Sequence, residues 1–292
     1  MHKAGFVNII GNPNVGKSTL MNLLTGEKLS IISPKAQTTR VRVMGIVSAE
    51  EYQIVYSDTP GILEPKYKLQ ESMLQYVESA LTDADIILFI TDPFDSKKIN
   101  LDYAERIKNI DVPLIVVLNK IDLIDQKSAE DLLKKWQEIY PKAVILPISA
   151  LHSFNHQSVL DAIIYHLPES PAYFDKEQLT DKPMRFFVAE IIREKIFLNF
   201  KQEIPYSTEV VIESYKEYPE ITKIAATIYV ERDSQKPIII GNKGQSIKNI
   251  GTEARKDIEK FTETKVYLEL FVKVNKDWRN DSLKLKRFGY QQ

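Results

Sequence analysis

"GNPNVGKST", Gly11 to Thr19, decides how the chain is read. It fits GxxxxGK[ST], a pattern that arises by chance on the order of once in 300 chains of this composition, and its surroundings agree with it. The apolar run "FVNII" before it predicts a strand, and "STLMNLLTG" predicts a helix that opens at its end. Such a loop aims backbone N–H groups and the positive end of a helix at one spot, which suits phosphate groups. Gly11, Asn12, Pro13, Asn14, Val15, Gly16, Lys17, Ser18 and Thr19 thus form the first candidate site, with Lys17 reaching β and γ phosphates and Ser18 ligating Mg²⁺. A plain glycine turn would explain the bend but not the Lys and Ser that follow it.

Outward from this loop, buried-strand runs alternate with helical patterns. The strand candidates are "GFVNIIG", "RVMGIVS", "YQIVYSD", "DIILFITD", "PLIVVLNK" and "AVILPISA". Only the acidic turn "AEE" separates the second from the third, so these two pair as an antiparallel hairpin. The other connections are long enough for helices; from Ser128 to Tyr140, Leu132, Leu133, Trp136 and Ile139 fall on one face. The expected fold class is α/β, a P-loop nucleotide-binding domain over 1–170 built on a mostly parallel six-stranded sheet. Proline and charge replace periodicity in "LPESPAYFDKEQLTDKP", and residues 171–183 are read as a linker. From 184 to 292 the order becomes αββααβ, a smaller α+β domain with a basic C-terminal tail. The sequence shows no internal repeat or low-complexity tract.

Downstream motifs choose the nucleotide. "NKID", Asn119 to Asp122, ends a strand, where the Asp122 carboxylate can accept from the adjacent N1 and N2 donors of guanine. Adenine lacks that pair and would leave a buried acceptor unmet, so the ligand is expected to be GTP or GDP. Asn119 braces the loop and base edge, Lys120 lays its stem over the ring, and the Ala150 N–H in "SAL", Ser149 to Leu151, addresses guanine O6. "DTPG" follows another strand and is read as nucleotide-binding throughout, Asp58, Thr59, Pro60 and Gly61, with Asp58 contacting Mg²⁺ through water and Gly61 offering an N–H to the γ phosphate. "KAQTTRVR" holds Thr38 and Thr39, one of which completes the Mg²⁺ shell, Thr39 being preferred.

A second glycine loop, "GNKG" from Gly241 to Gly244, follows "PIII" and opens a helix that carries Ile247, Ile250 and Ile258. GxxG alone is weak, at roughly 0.3 chance occurrences in such a chain. The electrostatics strengthen it. Residues 1–180 hold 18 Lys and Arg against 23 Asp and Glu, whereas the rest of the chain holds 21 against 17, and from Lys236 onward the count is 13 against 7. A polyanion is drawn to that end. Gly241 and Gly244 let a sugar-phosphate backbone approach, Asn242 and Lys243 contact it, and Lys248, Arg255, Lys284, Lys286 and Arg287 extend the basic path.

Composition removes several other functions. With no cysteine there are no disulfides, cysteine nucleophiles or thiolate metal sites. The four histidines, His2, His152, His156 and His166, lack a metal-binding spacing, although His152 and His156 would face alike on a helix. No apolar run reaches the roughly 18 residues of a membrane span, and no leader pattern opens the chain, so the cytoplasm is expected.

The set "GNPNVGKS", "TTR", "DTPG", "NKID" and "SA" resembles the nucleotide motifs of translation-factor-type GTPases, and with a C-terminal module that resembles a type II KH domain the whole chain resembles the bacterial Era GTPase family. The resemblance runs from about Gly5 to about Trp278. It implies GTP hydrolysis, binding of the 3′ end of small-subunit ribosomal RNA by a KH domain that clamps about four nucleotides, and a part in assembly of the 30S subunit. Ile62 stands where many GTPases carry a water-orienting glutamine; the resemblance implies an apolar residue there, so hydrolysis draws its water positioning from elsewhere. It also implies that Asn14 helps hold K⁺, with loop tightening as the alternative role for that side chain. Lys17, Asn14, Thr39 and Gly61 are thus the catalytic candidates. Leu63 departs from relatives that carry histidine there, and nothing follows from it. Two other classes compete with this reading. A tRNA-modifying GTPase would need a C-terminal cysteine, and a membrane-surface signalling GTPase would need a lipidation motif or basic amphipathic helix. Monomer is the default state, and peripheral contact with the inner membrane stays open.

Overall fold

The computed structural model describes residues 1–94 and 101–290. By its contacts the chain divides into two units: Met1–Glu64 with Met73–Asp181, and Pro65–Ser72 with Lys182–Gln292. Among the described residues no helix is long and apolar enough to cross a membrane, and no three His, Asp or Glu cluster as a metal site.

The first unit is a six-stranded sheet of β1 (Lys3–Gly11), β2 (Val43–Ser48), β3 (Tyr52–Asp58), β4 (Ile86–Thr91), β5 (Leu114–Leu118) and β6 (Val144–Pro147), in the order β2-β3-β1-β4-β5-β6. β2 and β3 form the expected antiparallel hairpin and every other pairing is parallel. Runs such as "IILFIT" are buried along their whole length because helices cover both faces of a parallel sheet. On one face lie α2 (Lys68–Thr82), α3 (Leu101–Lys108) and α4 (Gln126–Ile139), where Val77, Ile107 and Trp136 meet Phe89 and Val116. Trp136 stacks on Tyr140 with ring centroids 5.8 Å apart. α1 (Lys17–Thr25) and α5 (His156–His166) pack together. α5 begins at His156, so His152 lies in the loop before it and the two histidines do not share a helix.

β1 sits between β3 and β4, the point where the strand order reverses and where open α/β sheets bind ligands beyond their carboxyl ends. Ile9 pairs with Asp58, and Gly11 with Ile90, so the ends of three strands deliver their motifs to one crevice.

The stretch read as a linker, 171–183, is largely a strap on this unit. Buried Gln53 donates to the Phe174 carbonyl (2.9 Å) and accepts from the Tyr173 and Phe174 N–H groups (2.8 and 2.9 Å). Ile46 N–H donates to the Leu179 carbonyl at 2.8 Å, covering part of the otherwise open edge of β2. The division between units falls at Asp181 and Lys182.

The second unit runs α6 (Met184–Asn199), β7 (Thr208–Glu217), β8 (Thr222–Val230), α7 (Gln235–Ile240), α8 (Gln245–Thr262), β9 (Val266–Val274) and α9 (Ser282–Arg287). Its sheet is ordered β7-β8-β9, with β8 and β9 parallel. α8 buries Ile250, Ala254 and Ile258, a stripe of spacing four, against Ile192, Ile224 and Val272. The tail is anchored rather than loose. Trp278 and Leu285 are fully buried, Trp278 Nε1 donates to the Ser207 carbonyl (3.1 Å), and the Tyr290 hydroxyl donates to Glu209.

Candidate functional sites

Two positions of the first glycine loop, and one of the DTPG turn that meets it, leave no room for a side chain. A Cβ on Gly11 would lie 2.2 Å from the Ile90 carbonyl oxygen, one on Gly16 2.2 Å from Asn119 Nδ2, and one on Gly61 2.7 Å from Pro13. Gly16, at φ 100°, opens α1. Lys17, almost fully buried, donates through Nζ to the carbonyls of Gly11 (3.0 Å) and Asn12 (2.8 Å), which hold the ammonium inside the loop.

A pocket of about 450 Å³ gathers Pro13, Asn14, Gly16, Lys17, Ser18 and Thr19 with Thr38, Thr39, Gly61, Asn119, Lys120, Asp122, Ser149 and Leu151. All five motif segments line one cavity. Its dimensions and its mixed wall, polar at the loop end and apolar near Leu123 and Leu151, suit a nucleotide. Leu123, Ile31 and Ile32 also line it; nothing in their type or spacing marks them in the sequence.

The two threonines separate cleanly. Thr39 Oγ1 donates to Asp58 Oδ2 (3.2 Å) and lies 2.9 Å from Ser18 Oγ, which itself donates to Asp58 Oδ2 at 2.7 Å. Thr38 turns away, donating to the Lys35 carbonyl (2.7 Å) and Ser33 Oγ (3.1 Å). Burial raises the pKa of Asp58, with nearby Lys17 and its hydroxyl neighbours opposing the shift. Its Oδ1 is buried without a hydrogen-bond partner. A fully buried carboxylate with one unmet oxygen, flanked by two hydroxyls, is a donor set of the hard-oxygen kind that Mg²⁺ takes.

The base end is fastened to the phosphate loop. Asn119 Nδ2 donates to the Val15 carbonyl (2.8 Å), and Lys120 Nζ donates to the Asn14 carbonyl (2.5 Å). The Ala150 N–H, expected to face guanine O6, donates instead to Asn119 Oδ1 at 2.9 Å, because the buried amide needs a donor there. Asp122 faces the pocket, with His152 Nε2 3.7 Å away. Thr59 does not: fully buried, its hydroxyl donates to the Ile9 carbonyl at 2.7 Å and holds the turn of "DTPG". Ile62 points into the core beside Val77, and its N–H donates to the Gly11 carbonyl. Asn14, at φ 66°, donates through Nδ2 to the Pro34 carbonyl (3.0 Å), so its amide ties the phosphate loop to the segment that carries the threonines.

The second loop joins α7 to α8 with Gly241, Lys243 and Gly244 at φ 75°, 48° and 77°. Asn242 and Lys243 are exposed, and a Cβ on Gly241 would fall 2.2 Å from Ser246 Oγ, whereas one on Gly244 would meet nothing. Beside the loop a groove of about 320 Å³ runs between α8 and β9, with Ile247, Leu268 and Leu270 offering apolar surface and Lys248 and Arg255 offering charge. Gly251 and Thr252 complete its α8 side. Apolar surface for bases next to cations for phosphates is what a single nucleic-acid strand requires. Lys286 and Arg287 are exposed on α9; Lys284 is drawn back, donating to the Lys276 carbonyl at 2.6 Å.

Two family models match the chain: "50S ribosome-binding GTPase" over residues 6–120 and "KH domain" over 203–279. "GTPase Era" of Alkaliphilus metalliredigens is 45% identical over 295 residues, covering 99% of both chains, and that of Clostridium kluyveri is 44% identical over the whole of both. Among solved structures, Era in complex with MgGDPNP and nucleotides 1506–1542 of 16S ribosomal RNA superposes with a TM-score of 0.96 at 42% identity, covering all of both chains. A single-substitution variant of Aquifex aeolicus Era bound to GDP·AlF4⁻ gives 0.94 at 42% identity, covering 99% of this chain and 100% of that one.

Proposed function

The chain belongs to the Era family of GTPases, and we propose that it is a Mg²⁺-dependent GTP-hydrolysing switch that binds the 3′ end of small-subunit ribosomal RNA and assists assembly of the 30S subunit. The observation that carries this reading is the presence, in one chain that matches Era over its full length, of a nucleotide-sized pocket lined by all five motifs and a separate basic groove beside a GNKG loop.

In this reading the loop from Pro13 to Thr19 gives its N–H groups to the phosphates and Lys17 balances their charge. Ser18, Thr39 and, through water, Asp58 hold Mg²⁺, which neutralises charge developing on the phosphate oxygens. Gly61 donates its N–H to the γ phosphate, and Asp122 selects guanine. Water attacks in line, and the buried Ile62 side chain cannot orient it; Asn14 would hold K⁺ there, as the resemblance implies, and the ion would supply positive charge. Exchange of Na⁺ for K⁺ checks this role, since equal hydrolysis rates would leave Asn14 a loop brace alone.

GTP keeps Thr39 and Gly61 engaged, and hydrolysis releases both. The chain passes into the second unit at Pro65, four residues after Gly61, which supports a link from nucleotide state to RNA grip. A switch of this kind works only if RNA distinguishes the two states energetically. Residues 1–170 would then be the GTP-binding domain and 184–292 the RNA-binding domain, in a cytoplasmic monomer whose contact with the inner membrane is at most peripheral. The test is the affinity of the full chain for a labelled copy of the small-subunit 3′ end, with GTP analogue, with GDP and with a scrambled RNA, across a salt series. Tight, sequence-dependent binding favoured by the analogue is expected. Binding that ignores sequence and nucleotide and falls steeply with salt would leave only nonspecific electrostatics.

A further inference from the structure

The "NKID" lysine is held by a residue that no motif includes. Asp92 follows β4 directly, at the carboxyl edge of the sheet, and is 7% exposed. Its Oδ2 accepts from Lys120 Nζ at 2.7 Å, and its Oδ1 accepts from the Phe94 N–H at 2.9 Å. The same ammonium donates to the Asn14 carbonyl, one residue before the Val15 carbonyl that takes Asn119. Both Lys120 and Asn14 adopt left-handed backbone, at φ 61° and 66°, a conformation that is unfavourable for a lysine and persists where contacts enforce it.

We infer that Asp92 is a positioning residue for guanine-nucleotide binding, its carboxylate fixing Lys120 between the base pocket and the phosphate loop before the nucleotide arrives. A lysine side chain loses more rotamer freedom than most when it is ordered. Left to solvent, Lys120 would surrender that freedom on binding and weaken it; tied to a nearly buried acceptor, it has surrendered it on folding. The Lys120 side chain is still one-third exposed, so the ion pair does little for stability by itself, and its effect is to preorganise. Through the Asn14 carbonyl the same tie also steadies the left-handed turn of the phosphate loop, so base and phosphate ends of the pocket are set together.

The inference rests on the guanine-nucleotide reading, and the experiment separates the two. Dissociation of fluorescent GDP and ADP analogues from the full chain is followed by stopped flow for wild type, Asp92→Asn, Asp92→Glu, Lys120→Met and each double variant. If the wild type does not retain GDP in preference to ADP, the nucleotide reading itself fails. With that preference present, Asp92→Asn is expected to speed GDP release about tenfold, and Asp92→Glu, which keeps the charge but displaces it, about threefold. Turnover at saturating GTP changes less than threefold, so the loss falls on KM. In the Lys120→Met background either Asp92 change alters release by less than twofold, because the group it acts through is gone; a merely structural role would persist there. Release within twofold of wild type for both Asp92 variants, or the same acceleration with and without Lys120, overturns the inference.

Discussion

Asn119→Ala tests how the first pocket is held together. The side chain is 3% exposed and spans two loops, donating to the Val15 carbonyl at 2.8 Å and accepting from the Ala150 N–H at 2.9 Å. Truncation leaves both partners without a protein group, and a buried unpaired polar group costs about 1–3 kcal/mol. The two together could reach roughly 6 kcal/mol if both stayed dry. Leu151, next to Ala150, is 76% exposed, so water reaches one of them and the loss falls toward the lower end. We expect about 2–3 kcal/mol in total, equivalent to roughly 30- to 150-fold. It divides between urea unfolding of the nucleotide-free chain and GDP affinity, according to how far the loops part before ligand binds, so both are measured and summed. Asn119→Asp, which keeps the acceptor for Ala150 but sets a buried carboxylate oxygen against the Val15 carbonyl, should cost at least as much as the alanine. A summed change below about 0.5 kcal/mol for Asn119→Ala would refute the argument that this amide joins the base and phosphate loops.

Other expectations follow from single contacts. Thr39→Ala, which removes a hydroxyl from the Ser18 and Asp58 cluster, should weaken a non-hydrolysable GTP analogue at least tenfold while leaving GDP within threefold; Thr38→Ala should move neither by more than threefold, and titration calorimetry with Mg²⁺ present distinguishes them. Gly244→Ala has open space and carries only the left-handed penalty of roughly 1–2 kcal/mol, whereas Gly241→Ala adds a clash with Ser246, so thermal unfolding should show the larger loss at Gly241. Lys243→Ala should weaken matched and scrambled RNA by similar factors and lower the slope of log affinity against log salt by about one, the mark of a lost phosphate contact. A loss confined to the matched RNA would mean that Lys243 reads bases.

Much of this protein can be read in its sequence. The strand runs and the αββααβ order are local, set by which residues bury themselves in short windows, and they match the elements found. The motif loops are equally local, because a phosphate-facing turn needs glycine and lysine at fixed spacing. What escaped the sequence depends on partners far along the chain. Asp92 looks like any acid at a strand end until β4 brings it beside Lys120. Thr38 and Thr39 are chemically alike, and only the course of the loop past Ser33 and Lys35 sends one hydroxyl to Asp58 and ties the other back to its own loop. Thr59 and the Ala150 N–H look available for the nucleotide in the sequence, yet in the fold Ile9 and Asn119 claim them. Residues 171–183 read as linker because proline and charge hide periodicity, but Gln53, a single polar residue in a buried strand, binds Tyr173 and Phe174 to the sheet. Local pattern determined the elements and the kind of ligand each loop suits, since backbone propensity and burial act over a few residues. Which atoms still face that ligand was decided by the tertiary fold, because every buried donor and acceptor first has to find a partner within the protein.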